Sequence, residues 1–168
     1  MIGIRSARMG DAAGLNHCVG RVAAERRFLA MVKGPSLRDS RRWLRSMLAS
    51  GNPLLVVVDG ARVVGWCDVL LRNAEGFRHS AGLGMGLLPD YRGRGLGGRL
   101  LRRAVAASRR RGIEKLELQV YASNRPAYAL YLKRGFKVEG RRRRARKLEG
   151  RYDDIIHMGR FLRRRPRR

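Results

Sequence analysis

Apolar positions recur along this chain in two rhythms, every second residue and every third to fourth, and the switches between them mark out strands and helices. Ile2 and Ile4 alternate with small or polar neighbours, as in a short first strand. Leu15, Cys18, Val19, Val22 and Ala23 fall on one face of a helix that Asp11 stands ready to cap. Gly34-Pro35-Ser36 breaks the chain, and Ser36 to Leu48 reads as a second helix with Leu44, Met47 and Leu48 turned inward. Leu54 to Val58 is a continuous apolar run, joined through Asp59-Gly60 to a second run from Val63 to Leu71. Asp-Gly between two such runs signals a hairpin.

Asn73 to Ser80 is polar and reads as a loop. Ala81 to Leu88 predicts a further strand, which carries Gly82, Gly84 and Gly86. Glycine inside a strand marks a bulge, or a place where a ligand or another backbone comes close. Pro89 ends this strand. A helix follows from about Gly98 to Arg111, with Leu100, Leu101, Ala104 and Val105 as its buried stripe and Gly112 as its stop. Ile113 to Tyr121 alternates Leu116, Leu118 and Val120 with Glu117, Gln119 and Tyr121. Asn124 caps a short helix that tolerates Pro126 in its first turn and ends at Gly135. Phe136 to Lys147 and Tyr152 to Leu162 close the chain as a strand pair around Glu149-Gly150. This order predicts an α/β (α+β) chain with a mixed, mostly antiparallel central sheet of about seven strands flanked by four helices. Residues 1–162 form one domain, and 163–168 an arginine-rich tail.

The charge changes the picture. Of 168 residues, 39 are basic and 13 acidic, a formal net charge of +26, and all but five of the basic residues are arginine. Such a field favours anionic partners without saying which. Cys18 and Cys67 form neither a CxxC pair nor a metal pattern, and no two histidines have metal spacing, so no metal is expected. No signal peptide is evident, and no run reaches the ~18 apolar residues of a membrane helix, so a cytoplasmic chain with reduced cysteines is expected.

Between the glycine-bearing strand and the helix that follows stands Tyr91-Arg92-Gly93-Arg94-Gly95-Leu96-Gly97-Gly98. A strand, a glycine turn and a helix aim several backbone N–H groups and a helix N-terminus at one point, which suits phosphate. The spacing is neither that of a P-loop nor that of a dinucleotide fingerprint. The segment resembles the pyrophosphate-binding motif of the GNAT superfamily of N-acetyltransferases, Gln/Arg-x-x-Gly-x-Gly/Ala, with its Pro-Asp-Tyr lead-in at Pro89, Asp90 and Tyr91. A second motif of that family, Asn-x-x-Ala-x-x-Leu-Tyr-x-x-x-Gly-Phe, is matched by Asn124, Ala127, Leu130, Tyr131, Gly135 and Phe136. The element order matches from Ile2 to Phe161.

The resemblance implies direct attack of a neutral amine on the thioester of acetyl-CoA, the cosubstrate. It implies that pantetheine lies along Met85, Gly86 and Leu87, with the Leu87 N–H donating to the oxyanion. Arg92, Gly93, Arg94, Gly95, Leu96, Gly97 and Gly98 would hold the pyrophosphate, and Asn124 would fix the cofactor's position. Tyr131, protonated at neutral pH, would serve as the general acid. For the base, Gln119 stands where some protein-acetylating relatives carry Glu, which leaves Glu117, two residues earlier on the same face. A base is dispensable for an α-amine of pKa ~8. His79, in the loop before the glycine-bearing strand, is a further pocket candidate.

The closing strands resemble bacterial members that acetylate small amines, and the positive field favours an amino acid or similar amine over a polyamine. Polyamines would require Glu75, Glu117, Asp153 and Asp154 to gather. Two other readings stay open: a protein or peptide N-terminal acetyltransferase, and a basic nucleic-acid or ribosome-associated binder acting through Arg141 to Arg144 and Arg163 to Arg168. Pairing into a homodimer is implied by analogy alone.

Overall fold

The computed structural model describes residues 1–162, so the predicted tail at 163–168 lies outside the described residues. Seven strands and four helices follow in the predicted order: β1 Ile2–Ser6, α1 Ala12–Ala24, α2 Leu37–Ala49, β2 Leu54–Asp59, β3 Arg62–Leu71, β4 Ser80–Leu87, α3 Leu96–Arg110, β5 Lys115–Tyr121, α4 Arg125–Lys133, β6 Lys137–Leu148 and β7 Arg151–Phe161. They build one sheet in the order β1-β2-β3-β4-β5-β7-β6. All neighbours are antiparallel except β4 and β5. β7 inserts between β5 and β6, so the closing hairpin returns its second strand to the sheet and leaves its first at the edge.

The core follows the two rhythms. Leu116, Leu118 and Val120 of β5 are buried, as are Leu100, Leu101 and Ala104 of α3 and Leu15, Cys18 and Val22 of α1. Cys18 and Cys67 are free and buried. Alternation puts Trp66 and Asp68 of β3 on the sheet face covered by α1 and α2, and Met85 and Leu87 of β4 on the face covered by α3 and α4. Among the described residues no helix is long and apolar enough to cross a membrane.

Four local expectations need correction. Asp11 stands at the N-cap of α1, but its carboxylate gives that helix no cap bond. It accepts instead from both arms of the Arg5 guanidinium at 2.7 Å and from the Arg8 N–H at 2.8 Å. Leu48 is 37% exposed, while Leu44 and Met47 of α2 are buried. The helix expected from Gly98 begins at Leu96, which puts Gly97 and Gly98 inside its first turn. No bulge interrupts β4 on its β3 side, where the register runs unbroken from Ala81↔Leu71 to Leu87↔Gly65.

Candidate active site

β4 and β5 run parallel and bond over three residue pairs only, Ser80–Gly82 with Lys115–Glu117. Beyond that point β4 stays on β3 and β5 stays on β7, so a wedge opens between Leu83–Leu87 and Leu118–Tyr121. The Leu88 N–H donates to the Val64 carbonyl at 2.9 Å. Because strand amides alternate, Gly84 and Gly86 also turn theirs to β3, while Met85 and Leu87 turn theirs into the wedge. The opening therefore arises from the short parallel ladder, with no bulge required.

The glycines have a second cause. A Cβ on Gly86 would collide with the Trp66 ring, and one on Gly84 would sit 3.0 Å from the Asp68 carboxylate. Both side chains reach from β3 across β4, and only glycine leaves them room.

At the far end of β4 the chain makes a 3-10 turn over Pro89–Tyr91 and passes Gly93 (φ +71°) and Gly95 (φ +74°) into α3. Nothing lies within 4 Å of a Cβ at either glycine, so what they supply is the left-handed backbone. Among the described residues no side chain caps α3, and its first amides, from Leu96 to Gly98, are left to an external acceptor at the positive end of the helix dipole. The two motif arginines differ. Arg94 lies 5.5 Å from the Tyr91 ring. Arg92 forks onto Glu25 at 2.7 and 2.6 Å, donates from Nε to the Leu87 carbonyl at 2.9 Å and covers Phe28 at 4.8 Å. Arg92 thus ties the end of α1 to the end of β4, and its donors are largely committed.

Sequence reasoning passed over Arg134. Its guanidinium lies against Gly98, 2.5 Å from where a Cβ would be, and its buried Nε has no partner among the described residues. Together with Arg109 it lowers the pKa of half-buried Arg160, though burial is the larger cause there.

Tyr131 of α4 is buried and meets Phe136 edge-on at 5.9 Å. Burial pushes its phenol well above the usual range, and the charges of Cys67 and Asp68 add to this. It stays protonated at any physiological pH. Asn124 accepts from the Ala127 N–H at 3.3 Å, the helix-capping role.

Glu117 accepts from Arg72 at 2.5 Å and from Lys115 at 3.0 Å. Both bonds occupy lone pairs that a base would use. The acidic residues named for polyamine binding do not gather: Asp153 bonds Ser123, Asp154 bonds Arg141, and Glu75 is exposed. His79 is exposed, and its carbonyl holds the start of β5.

Asp68 is a carboxylate set into the sheet that the sequence reading did not single out. It lies between two openings. One is an apolar cavity of about 390 Å³ whose walls include Leu15, Leu29, Met31, Trp43, Trp66 and Met85. The other is a groove of mixed lining, about 570 Å³, along β3–β4–β5–β7 and the start of β6, with Arg72, Glu117, Gln119, Glu139 and His157 on its walls. Asp68 takes a hydrogen bond from Trp66 Nε1 at 3.1 Å. Among the described residues it has no ion pair. Burial lifts its carboxyl to about 6, against the lowering effect of the Trp66 bond. The one signal in the sequence was a lone acid inside the apolar run Val63 to Leu71. Among the described residues no three His, Cys, Asp or Glu gather as metal ligands.

Comparison with known proteins agrees with this layout. The profile of the "Acetyltransferase (GNAT) family" matches residues 23–136. An L-methionine sulfoximine/L-methionine sulfone acetyltransferase of Pseudomonas aeruginosa is 27% identical over 161 residues, covering 92% of this chain and 91% of the relative. The crystal structure of a GNAT-family acetyltransferase from Streptococcus pneumoniae superposes with a TM-score of 0.90 at 27% identity, over 96% of this chain and 99% of the other. That of a ribosomal-protein-alanine N-acetyltransferase from Brucella melitensis gives 0.88 at 27%, over 95% and 99%.

Proposed function

The chain belongs to the acetyltransferase (GNAT) family, and from that premise we propose that it transfers an acetyl group from acetyl-CoA to the primary amine of a small molecule by direct attack. The observation that carries this reading is the β4–β5 wedge, which has the α3 amides at one end and the Asp68 cavity on its other side.

The residues fit the cosubstrate. The amides from Leu96 to Gly98 and the left-handed turns at Gly93 and Gly95 make a concave donor surface for a pyrophosphate. Arg94 and Arg134 supply charge to it, and Arg92 holds the turn in place. The wedge-facing amides of Met85 and Leu87 pair with the pantetheine arm. The Leu87 N–H then donates to the oxygen that gains charge as the amine attacks. Tyr131 gives its proton to the departing thiolate, and burial keeps the phenol protonated until that step.

Amines of the amino-acid type, free or as derivatives such as amides, form the acceptor class, in line with the name of the Pseudomonas relative. The Brucella likeness keeps a protein N-terminus as the second acceptor class, but a narrow apolar cavity suits a small molecule better. The same reading takes the chain to be cytoplasmic and homodimeric, with a salt-sensitive contact between its arginine clusters and nucleic acid or the ribosome. Sedimentation and RNA retention across a salt series test the last two.

The decisive experiment is acetyl-CoA turnover, followed by thiol release against amino acids, peptides, polyamines and aminoglycosides, with Tyr131→Phe as control. Turnover that collapses in the variant supports the reading. Tight acetyl-CoA binding with no turnover on any amine refutes the small-amine assignment.

A further inference from the structure

Three features meet at Asp68. Its carboxylate is laid across β4 through the gap that Gly84 leaves, beside Met85, whose amide faces the wedge. It closes one end of an apolar cavity built by α1, the α1–α2 connection, α2 and Trp66. It has no cationic partner among the described residues, in a chain of net charge +26 where Glu117, Glu139 and Asp39 are each held by Arg or Lys. An acid kept unpaired in such a field, at the point where a wedge and a cavity join, awaits a cation from outside the protein.

We propose that Asp68 is the proton acceptor of the reaction, and that the cavity beside it selects a primary amine with an apolar body and no neighbouring carboxylate. This rests on the acetyl-transfer reading above. The apolar body lies between Trp43 and Trp66, and its nitrogen points at Asp68. The cavity walls carry no cation, and their two charged groups are Asp39 and Asp68, so a carboxylate on the acceptor finds no partner there. The charged and titratable groups around Asp68 are Asp39 on the α2 side, Cys67 and Tyr131 on the other sheet face, and Arg72, Glu117, Glu139 and His157 along the groove.

The step balances. The neutral amine forms the nitrogen–carbon bond while the carbon–sulfur bond breaks. The nitrogen loses one proton to Asp68, and the sulfur gains one from Tyr131. Asp68 then returns its proton to the phenolate through water, leaving amide and thiol. A carboxyl lifted to about 6 by burial is ionised at neutral pH and still a stronger base than an exposed aspartate.

The test uses the full chain as wild type, Asp68→Asn and Asp68→Glu. It reads kcat and KM from about pH 5 to 9, and measures acetyl-CoA affinity by titration without turnover. The acceptors are an aralkylamine, an apolar amino-acid amide and the corresponding free amino acid. For wild type, kcat/KM should rise with pH through about 6 and be at least tenfold higher for the aralkylamine or the amide than for the free acid. Asp68→Asn should lower kcat about 10²-fold or more and lose the acidic limb. Its acetyl-CoA affinity should stay within about twofold, and Asp68→Glu should recover part of the rate. An Asn variant with wild-type kcat and profile overturns the proton-acceptor role, and preference for the free amino acid overturns the acceptor class. A wild type that binds acetyl-CoA but turns over no amine removes the parent reading, and this one with it.

Discussion

Asp68 can be tested without any substrate, through stability. Asp68→Asn keeps the shape of the side chain and an oxygen to accept from Trp66 Nε1, now 3.1 Å away, while removing a charge from the wall of an apolar cavity. Burial lifts the carboxyl from 3.8 to about 6. That gap of about 2 units corresponds to at most about 3 kcal/mol at ~1.4 kcal/mol per unit. The folded state holds the proton more tightly than the unfolded chain does. The stabilisation from Asp68 is therefore complete below about pH 4 and lost as pH rises through about 6. At pH 7.5 wild type bears the full cost and the Asn variant none. Thermal melts followed by circular dichroism at pH 4, 5.5 and 7.5, at constant ionic strength, should show the variant more stable at pH 7.5. For a chain of this size the gain corresponds to roughly 6–12 °C at most. The gain should be about three quarters as large at pH 5.5 and about a fifth as large at pH 4. Equal melting temperatures at pH 7.5, or a difference that does not change with pH, would refute the reasoning.

Tyr131→Phe should lower kcat about 10²-fold while acetyl-CoA affinity stays within about twofold, because the edge contact with Phe136 survives; thiol release and titration read the two separately. Since burial holds the phenol above its ordinary range, the wild-type rate should show no Tyr131-dependent decline between pH 7 and 9. Gly86→Ala should cost about 1–3 kcal/mol in urea unfolding and raise KM for the amine, since the new methyl group displaces the Trp66 ring from the cavity wall. Arg92→Lys should cost about 1 kcal/mol through loss of the fork onto Glu25 but leave acetyl-CoA affinity within about threefold. A tenfold or greater loss of affinity would make Arg92 a phosphate ligand rather than a tie. Asp11, whose carboxyl the Arg5 bond holds below the usual range, stabilises the fold above about pH 4 and loses that contribution as pH falls further. Asp11→Asn should therefore show a shallower acid-unfolding curve than wild type.

Much of this molecule is written in short stretches of its sequence. The alternation of Leu116, Leu118 and Val120, the Asp59-Gly60 hairpin and the glycine turn between β4 and α3 each depend on a residue and its near neighbours. So does the Asn124 cap, and all of them appear in the structure as the residue pattern predicts. The strand–turn–helix unit and the Asn124–Phe136 segment also carried the family resemblance, because the same local backbone requirements constrain them. The sheet order was not legible, since nothing in β6 or β7 says which of them will lie against β5. Arg92 looked like a phosphate ligand from its motif, but Glu25 claims it from 67 residues away. Asp68 was one acid in an apolar strand until β4 brought Gly84 beneath it, α1 and α2 walled its cavity, and the parallel ladder stopped beside it. Dihedral preference and periodicity act over a few residues, so a sequence determines them by itself. Desolvation, ion pairing and the shape of a cavity depend on which distant segments pack together, and only the tertiary structure decides them.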